Sequence, residues 1–198
     1  MEIFKQLNGV LEPDPRTHMF HIFDESLGDF REREISDIHG QLAEIELDGD
    51  VPEAIQTHFI TSKHLVLYSW FVYRFIPVAE FHAIASLEYT LKIKTGQNKW
   101  GLKRLLAHAV KEGWVKDNDF QIHRETIERK KAHAEQLKKY LNIGPQEIIS
   151  KERKYTSVLV ESLPYLRNVY AHGSNTIAPE GYLTLTIRAE FINKIFKA

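Results

Sequence analysis

The sequence predicts a mainly α-helical fold: an antiparallel bundle of four to five helices with a short β-prone segment near the C-terminus. Three observations carry this. Apolar residues recur at spacings of three and four through most of the chain beyond residue 50. Helix-breaking positions such as Pro52, Gly96, Gly113 and Gly144 punctuate those stretches. The intervening turns are short, which makes consecutive helices antiparallel neighbours.

Residues 1–28 are weakly patterned, with Pro13, Pro15 and Gly28, and suit a short strand or loop. Residues 29–47 place Phe30, Glu34, Ile38, Leu42 and Ile45 at helical spacing and predict a helix. Leu47-Asp48-Gly49-Asp50 is a turn. Pro52-Glu53 opens a second helix to about Phe75, which Pro77 ends or kinks. A third, about 78–94, carries Ala79, Ala83, Ile84, Leu87 and Leu91 on one stripe. Its small residues allow a neighbouring helix to approach closely.

Leu102, Leu105, Leu106 and Ala109 mark a short helix ending at Gly113, and a charged helix follows over about 120–141. After the turn Asn142–Pro145, the last long helix is expected from about 146 to 172. Leu159, Leu163, Leu166 and Tyr170 line its inner face, and Gly173 is its left-handed cap. Tyr182-Leu183-Thr184-Leu185-Thr186-Ile187 alternates and is expected to be extended, before a small closing helix over Ala189–Lys197. The expected organisation is an N-terminal extension, 1–50, packed on a helical domain, 51–198.

Composition narrows the function. The chain has 198 residues, 43% hydrophobic and 27% charged, a globular balance. It contains no cysteine, which excludes disulfides and thiolate metal sites and fits a cytoplasmic home. Its formal net charge of −1 provides no global attraction for nucleic acid, so any RNA contact must be local. The longest apolar run, Leu65–Tyr73, falls short of the roughly 20 residues that span a bilayer. No membrane association is expected.

The chemistry concentrates in Leu163-Pro164-Tyr165-Leu166-Arg167-Asn168-Val169-Tyr170-Ala171-His172-Gly173. On a helix Asn168 and His172 share a face, and Arg167 lies about 140° round from His172. Phosphodiester cleavage in RNA uses the substrate's own 2′-hydroxyl. It needs a proton-transfer group active near neutral pH, which histidine supplies, and a fixed cation for phosphate charge, which arginine supplies. Asn168 suits orientation of the histidine or a hydrogen bond to phosphate. This scheme needs no metal and no cofactor. The plainer reading has Arg167 and His172 as favourable charges at a helix C-terminus, with Asn168 bonded to a neighbouring helix.

Arg167, a polar residue beside it, and His172 after four intervening positions resemble the signature of the HEPN superfamily, the higher eukaryote and prokaryote nucleotide-binding domain. The upstream helix with Ala79-Glu80, Ala83 and Leu87-Glu88, and the Gly101–Gly113 segment, look like family features as well. The resemblance extends over roughly 52–198. It implies a helical homodimer whose two motif copies meet in one composite site. Many members are metal-independent endoribonucleases that serve as toxins or in anti-phage defence, where a cognate antitoxin or other partner chain is expected. Others are non-catalytic nucleotide- or RNA-binding modules. One toxin subgroup carries a tyrosine two positions after the histidine; here that position is Ser174.

On this reading Arg167, Asn168 and His172 are the catalytic candidates, and Tyr170 and Lys138 are candidates for substrate contact. The same arginine-to-histidine spacing occurs in Arg16-Thr17-His18-Met19-Phe20-His21, which follows two prolines and lacks the adjacent amide. It is expected to be a coincidence. His18, His21, Asp24 and Glu25 are conceivable metal ligands, but they form no metalloprotease helix motif and their spacing is unremarkable, so no metal is expected.

Overall fold

The computed structural model describes residues 3–141, 153–173 and 181–197, with the side chains of Lys138, Lys139 and Leu141 outside the described set. The fold is mainly α. Its helices are α1 (Ile35–Ala43), α2 (Glu53–Tyr68), α3 (Phe75–Thr95), α4 (Leu102–Lys111), α5 (Gln121–Leu141), α6 (Tyr155–Ala171) and α7 (Gly181–Lys197). One antiparallel hairpin, β1 (His21–Asp24) with β2 (Asp29–Glu32), precedes them. No described helix is long and apolar enough to cross a membrane.

Helix α3 is the centre of the bundle. Ala79, Ala83, Ile84, Leu87 and Leu91 are wholly buried, with Ile55 and Phe59 of α2, Leu105 and Leu106 of α4, Leu163 of α6 and Leu185 and Ile192 of α7 packed in the same core. Each of the leucine, isoleucine and phenylalanine side chains among them contributes roughly 1.5–3 kcal/mol by leaving water. The small Ala79 and Ala83 let neighbours come close, as the stripe predicts. Gly181 serves the same end at the start of α7. A Cβ there would stand 3.3 Å from a Val66 methyl and 3.4 Å from an Ile76 methyl.

Polar side chains fasten the ends. Asp117 accepts from the Thr156 amide at 2.8 Å and from the Thr156 hydroxyl at 2.7 Å, capping α6 from a different element. Asn193 accepts from the Asp48 amide at 2.9 Å and donates to the Glu46 carbonyl at 3.1 Å, tying the α1–α2 loop to α7. Asp14 binds the turn between α2 and α3: its amide donates to the Trp70 carbonyl at 2.8 Å, and its carboxylate accepts from the Tyr73 amide at 3.2 Å.

Four expectations change. Residues 29–32 form β2, and the helix begins only at Ile35. Gly28, at φ 65°, turns the chain back, and Phe30 meets Phe23 across the hairpin at 5.4 Å. Phe30 and Glu34 are exposed, so the first two positions of that apparent helical stripe never faced a core. Helix α2 stops at Tyr68 and α3 starts at Phe75, leaving Pro77 in a first turn, where its missing amide costs no helical bond. Helix α6 is described from Tyr155; the expected stretch 146–152 lies outside the described residues.

The fourth change is the largest. The β-prone segment 182–187 is the first half of α7. Its alternation is genuine, yet the buried residues Leu185, Arg188, Ala189, Ile192 and Ile195 follow a helical period against α3. Tertiary packing overrides the local β preference of Thr184, Thr186 and Ile187.

Candidate functional site

Helix α6 carries the motif, and its burial pattern sets which side chains turn outward. Leu159 and Leu163 are buried, and Leu166 and Tyr170 pack partly against the core. That leaves Val158, Tyr165, Asn168 and His172 exposed. Pro164 lies within the helix and removes the amide that would bond the Val160 carbonyl. The helix closes at His172, whose amide donates to the Asn168 carbonyl at 3.0 Å, and Gly173 follows at φ 85°.

Arg167 and Asn168 line an open cavity of about 380 Å³, together with Pro164, Glu88 of α3, and Gly101, Leu102, Lys103 and Arg104 at the start of α4. The Arg167 guanidinium donates to the Asn168 side-chain oxygen at 3.3 Å. Its Nε stands 3.8 Å from a Glu88 carboxylate oxygen, while the other Glu88 oxygen pairs with Lys92 at 2.7 Å. Both Arg167 contacts are long, and the side chain is 42% exposed. Three cations and one carboxylate therefore surround the cavity. Gly101, the residue before α4, offers no capping side chain to the first turn of that helix. An anionic group of phosphate size suits these surroundings.

His172 is not in this cavity. Its imidazole is exposed at the helix end, and no hydrogen bond or ion pair joins it to Arg167 within the chain. The structure thus brings Arg167 and Asn168 together and leaves His172 exposed beyond the cavity, one turn further along α6 from Asn168.

Tyr170, expected at the substrate, is placed differently. Its hydroxyl donates to Glu80, which is 2% exposed, and Thr184 donates to the other Glu80 oxygen at 2.8 Å. Burial and this carboxylate push the Tyr170 hydroxyl well above the usual phenol range. Arg188 lies fully buried beside them, donating to the Thr184 carbonyl at 3.1 Å; burial lowers it to about 10. Tyr170 thus anchors the last turn of α6 to α3 and α7. Lys138 lies outside the described side chains.

Sequence reasoning gives Glu80 and Glu88 only as features of the family resemblance and singles out neither Lys103 nor Arg104. A signal does exist. Glu80 and Glu88 are the two acids of α3, spaced among its apolar stripe, and a carboxylate buried there needs a partner.

Other candidates fall away on geometry. Arg16 forks onto Asp14 with two contacts of 2.8 Å, and His18 lies 2.9 Å from Glu32. Asp24 pairs with Arg31 at 3.0 Å. Among the described residues no three His, Asp or Glu side chains gather as a metal site. His58 and His82 stack at 4.0 Å, and His58 Nδ1 lies 2.7 Å from the Ser86 hydroxyl. Ser86 is wholly buried, so this serine–histidine contact meets no substrate. A larger groove of about 630 Å³ between α1, α5 and α7 is lined by Glu44, Glu46, Glu125 and Glu190 against Arg129, which repels a phosphate.

Comparison with known proteins adds nothing to these observations: no family model, no curated protein and no solved structure matches this chain.

Proposed function

We propose that this chain is a HEPN-like, metal-independent endoribonuclease that works as a homodimer, of the kind used as toxins or in anti-phage defence. One observation carries the reading. Arg167 and Asn168 line a cationic cavity that suits a phosphate, while His172 stands exposed outside it on the same helix. A second copy is the natural source of the missing imidazole.

The exposed face of α6 supports such a pairing. Val158, Tyr165 and His172 recur every seven residues, so they run along one seam of the helix, and Tyr165 is 68% exposed. Two copies joined along this seam bury an apolar pair and carry His172 toward the partner's Arg167.

In this scheme Arg167 and Asn168 hold the scissile phosphate. The 2′-oxygen attacks phosphorus as His172 of the partner subunit accepts its proton. The bond from phosphorus to the 5′-oxygen breaks, and the imidazolium returns the proton to that oxygen. The products are a 2′,3′-cyclic phosphate and a 5′-hydroxyl end. The purified chain should cut RNA in the presence of chelator, and His172→Ala should abolish the cut. Equal cleavage by that variant refutes the assignment.

The second reading is a non-catalytic RNA- or nucleotide-binding module of the same fold. The contact between Arg167 and Glu88 favours it, since it gives the guanidinium a partner without substrate. Stabilisation of the chain by RNA or nucleotide, with no cleavage at any enzyme concentration, selects this reading.

A further inference from the structure

The Arg167 cavity is the end of a longer feature. Residues 89–116 hold seven lysines or arginines and one acid, Glu112, in a chain whose overall formal charge is −1. Two of the three tryptophans, Trp100 and Trp114, lie in the same stretch. Charge runs are commonly solvated faces with mixed signs, and α5 is one: its lysines and arginines alternate with Glu125, Glu128 and Glu135. The 89–116 stretch differs in its strong excess of positive charge and its interleaved aromatics; its one acid, Glu112, lies 3.7 Å from His108.

The structure organises these residues into a ladder. The Arg104 guanidinium lies over the Trp100 ring at 4.0 Å. Trp100 meets His108 edge-on at 5.4 Å, His108 meets Trp114 edge-on at 5.3 Å, and the Lys94 ammonium sits over Trp114 at 5.6 Å. Helix α4 makes this possible through its division of faces. Leu102, Leu105, Leu106 and Ala109 are buried, which turns Lys103, Arg104 and Lys111 outward. Arg104 and Lys103 also line the Arg167 cavity, so the ladder and the cavity are continuous.

We infer that this surface, from Trp114 along α4 to Arg104, is a binding track for single-stranded RNA that feeds the Arg167 cavity. Unpaired bases stack on aromatic and guanidinium planes, and a row of cations follows a phosphate backbone; the exposed Arg104 guanidinium backed by half-buried Trp100, and the outward Lys99, Lys103 and Lys111, offer both here. A duplex hides its base faces and gains nothing from the ladder. An acidic protein partner would use the charge and leave the aromatic rungs unexplained. The direction of the strand, into the cavity, rests on the ribonuclease reading above; the track itself does not.

The test measures binding by fluorescence anisotropy, using the full chain and a labelled twelve-nucleotide 2′-O-methyl RNA, which lacks the cleavage nucleophile. Lys99→Glu, Lys103→Glu and Lys111→Glu together should weaken binding at least tenfold. They should also flatten the plot of log affinity against log salt by about 2, at roughly 0.7 for each lost phosphate contact. Trp100→Ala should weaken it severalfold and leave the salt slope close to that of the natural chain. Circular dichroism and melting confirm that each variant is folded; if the lysine set unfolds, Lys99→Gln with Lys103→Gln replaces it, and if Trp100→Ala unfolds, Trp100→Leu replaces it. Undiminished binding by the folded lysine variants overturns the inference. So does equal affinity for a duplex of the same length, or for a polyglutamate peptide of the same charge. Binding that meets these expectations with no cleavage of ordinary RNA removes the ribonuclease reading and leaves the track standing.

Discussion

Two places in the molecule share one sequence spacing and differ in everything else. Arg16 and His21 stand five apart, as do Arg167 and His172. Arg16 is forked onto Asp14, its guanidinium lies 4.8 Å over the Tyr73 ring, and the carboxylate beneath it holds the turn between α2 and α3. Arg167 has only long contacts with Asn168 and Glu88 and faces an open cavity between two further cations. The first arginine is spent on structure and the second is available to a ligand. Spacing nominates both; the acceptors already within reach decide between them.

The sharpest way to break this comparison is by activity. His172→Ala and Arg167→Ala are each expected to cut RNA cleavage by about 10²–10⁴-fold, the usual worth of a proton-transfer group or a transition-state charge contact. His21→Ala should leave the rate unchanged. A gel assay of a defined RNA in chelator reads both, and a rate loss in the His21 variant would merge the two regions again.

The next effect is on stability. Glu80→Ala strips the Tyr170 and Thr184 hydroxyls of their acceptor and removes a carboxylate whose charge favours the buried Arg188 cation. Each hydroxyl left without its acceptor costs about 1–3 kcal/mol, to be read from urea unfolding. A loss under 1 kcal/mol would show that Tyr170 is not anchored as described.

A smaller effect belongs to Asp14. Its carboxyl is lowered from 3.8 to about 2, chiefly by the hydrogen bonds from Arg16. A depressed carboxyl stabilises the fold when ionised. Asp14 therefore contributes fully above about pH 3.8 and loses that contribution as pH falls toward 2, an amount of roughly 2 kcal/mol. Asp14→Asn should lower stability by about that much at pH 7 and flatten the acid limb of the stability curve. An unaltered acid limb would contradict the role given to this pair.

The smallest concerns Glu88. Glu88→Gln removes the charge facing Arg167 and Lys92 at a partly exposed position, so stability should move by less than about 0.5 kcal/mol. Affinity for single-stranded RNA should rise severalfold in the anisotropy assay. A fall would mean that the carboxylate positions Arg167 and does not merely compete for it.

Much of the fold was legible because the apolar stripes on α3, α4 and α6 are regular and their ends are marked by Gly96, Gly113 and Gly173. What failed did so where a local pattern competed with packing that sequence cannot display. Tyr182–Ile187 alternates like a strand and is wound into a helix by α3. Phe30 and Glu34 extend a stripe that has no core beneath them. The site was half legible. Arg167, Asn168 and His172 are visible as a motif, and the cavity Arg167 and Asn168 face comes from Glu88 and Arg104, on helices that only the tertiary fold brings alongside. Tyr170 shows the limit most clearly: next to the motif in sequence, it points inward to Glu80.

The composite site itself can be tested by mixing two inactive chains. Arg167→Ala and His172→Ala are purified separately, then exchanged into mixed dimers whose formation is verified by native mass spectrometry. In a mixed dimer one site loses both groups and the other keeps an arginine from one subunit and a histidine from the other. RNA cleavage should therefore return to about half the natural rate per mixed dimer. Mixed dimers as inactive as their parents, or an inactive natural chain, would contradict a site shared between two copies.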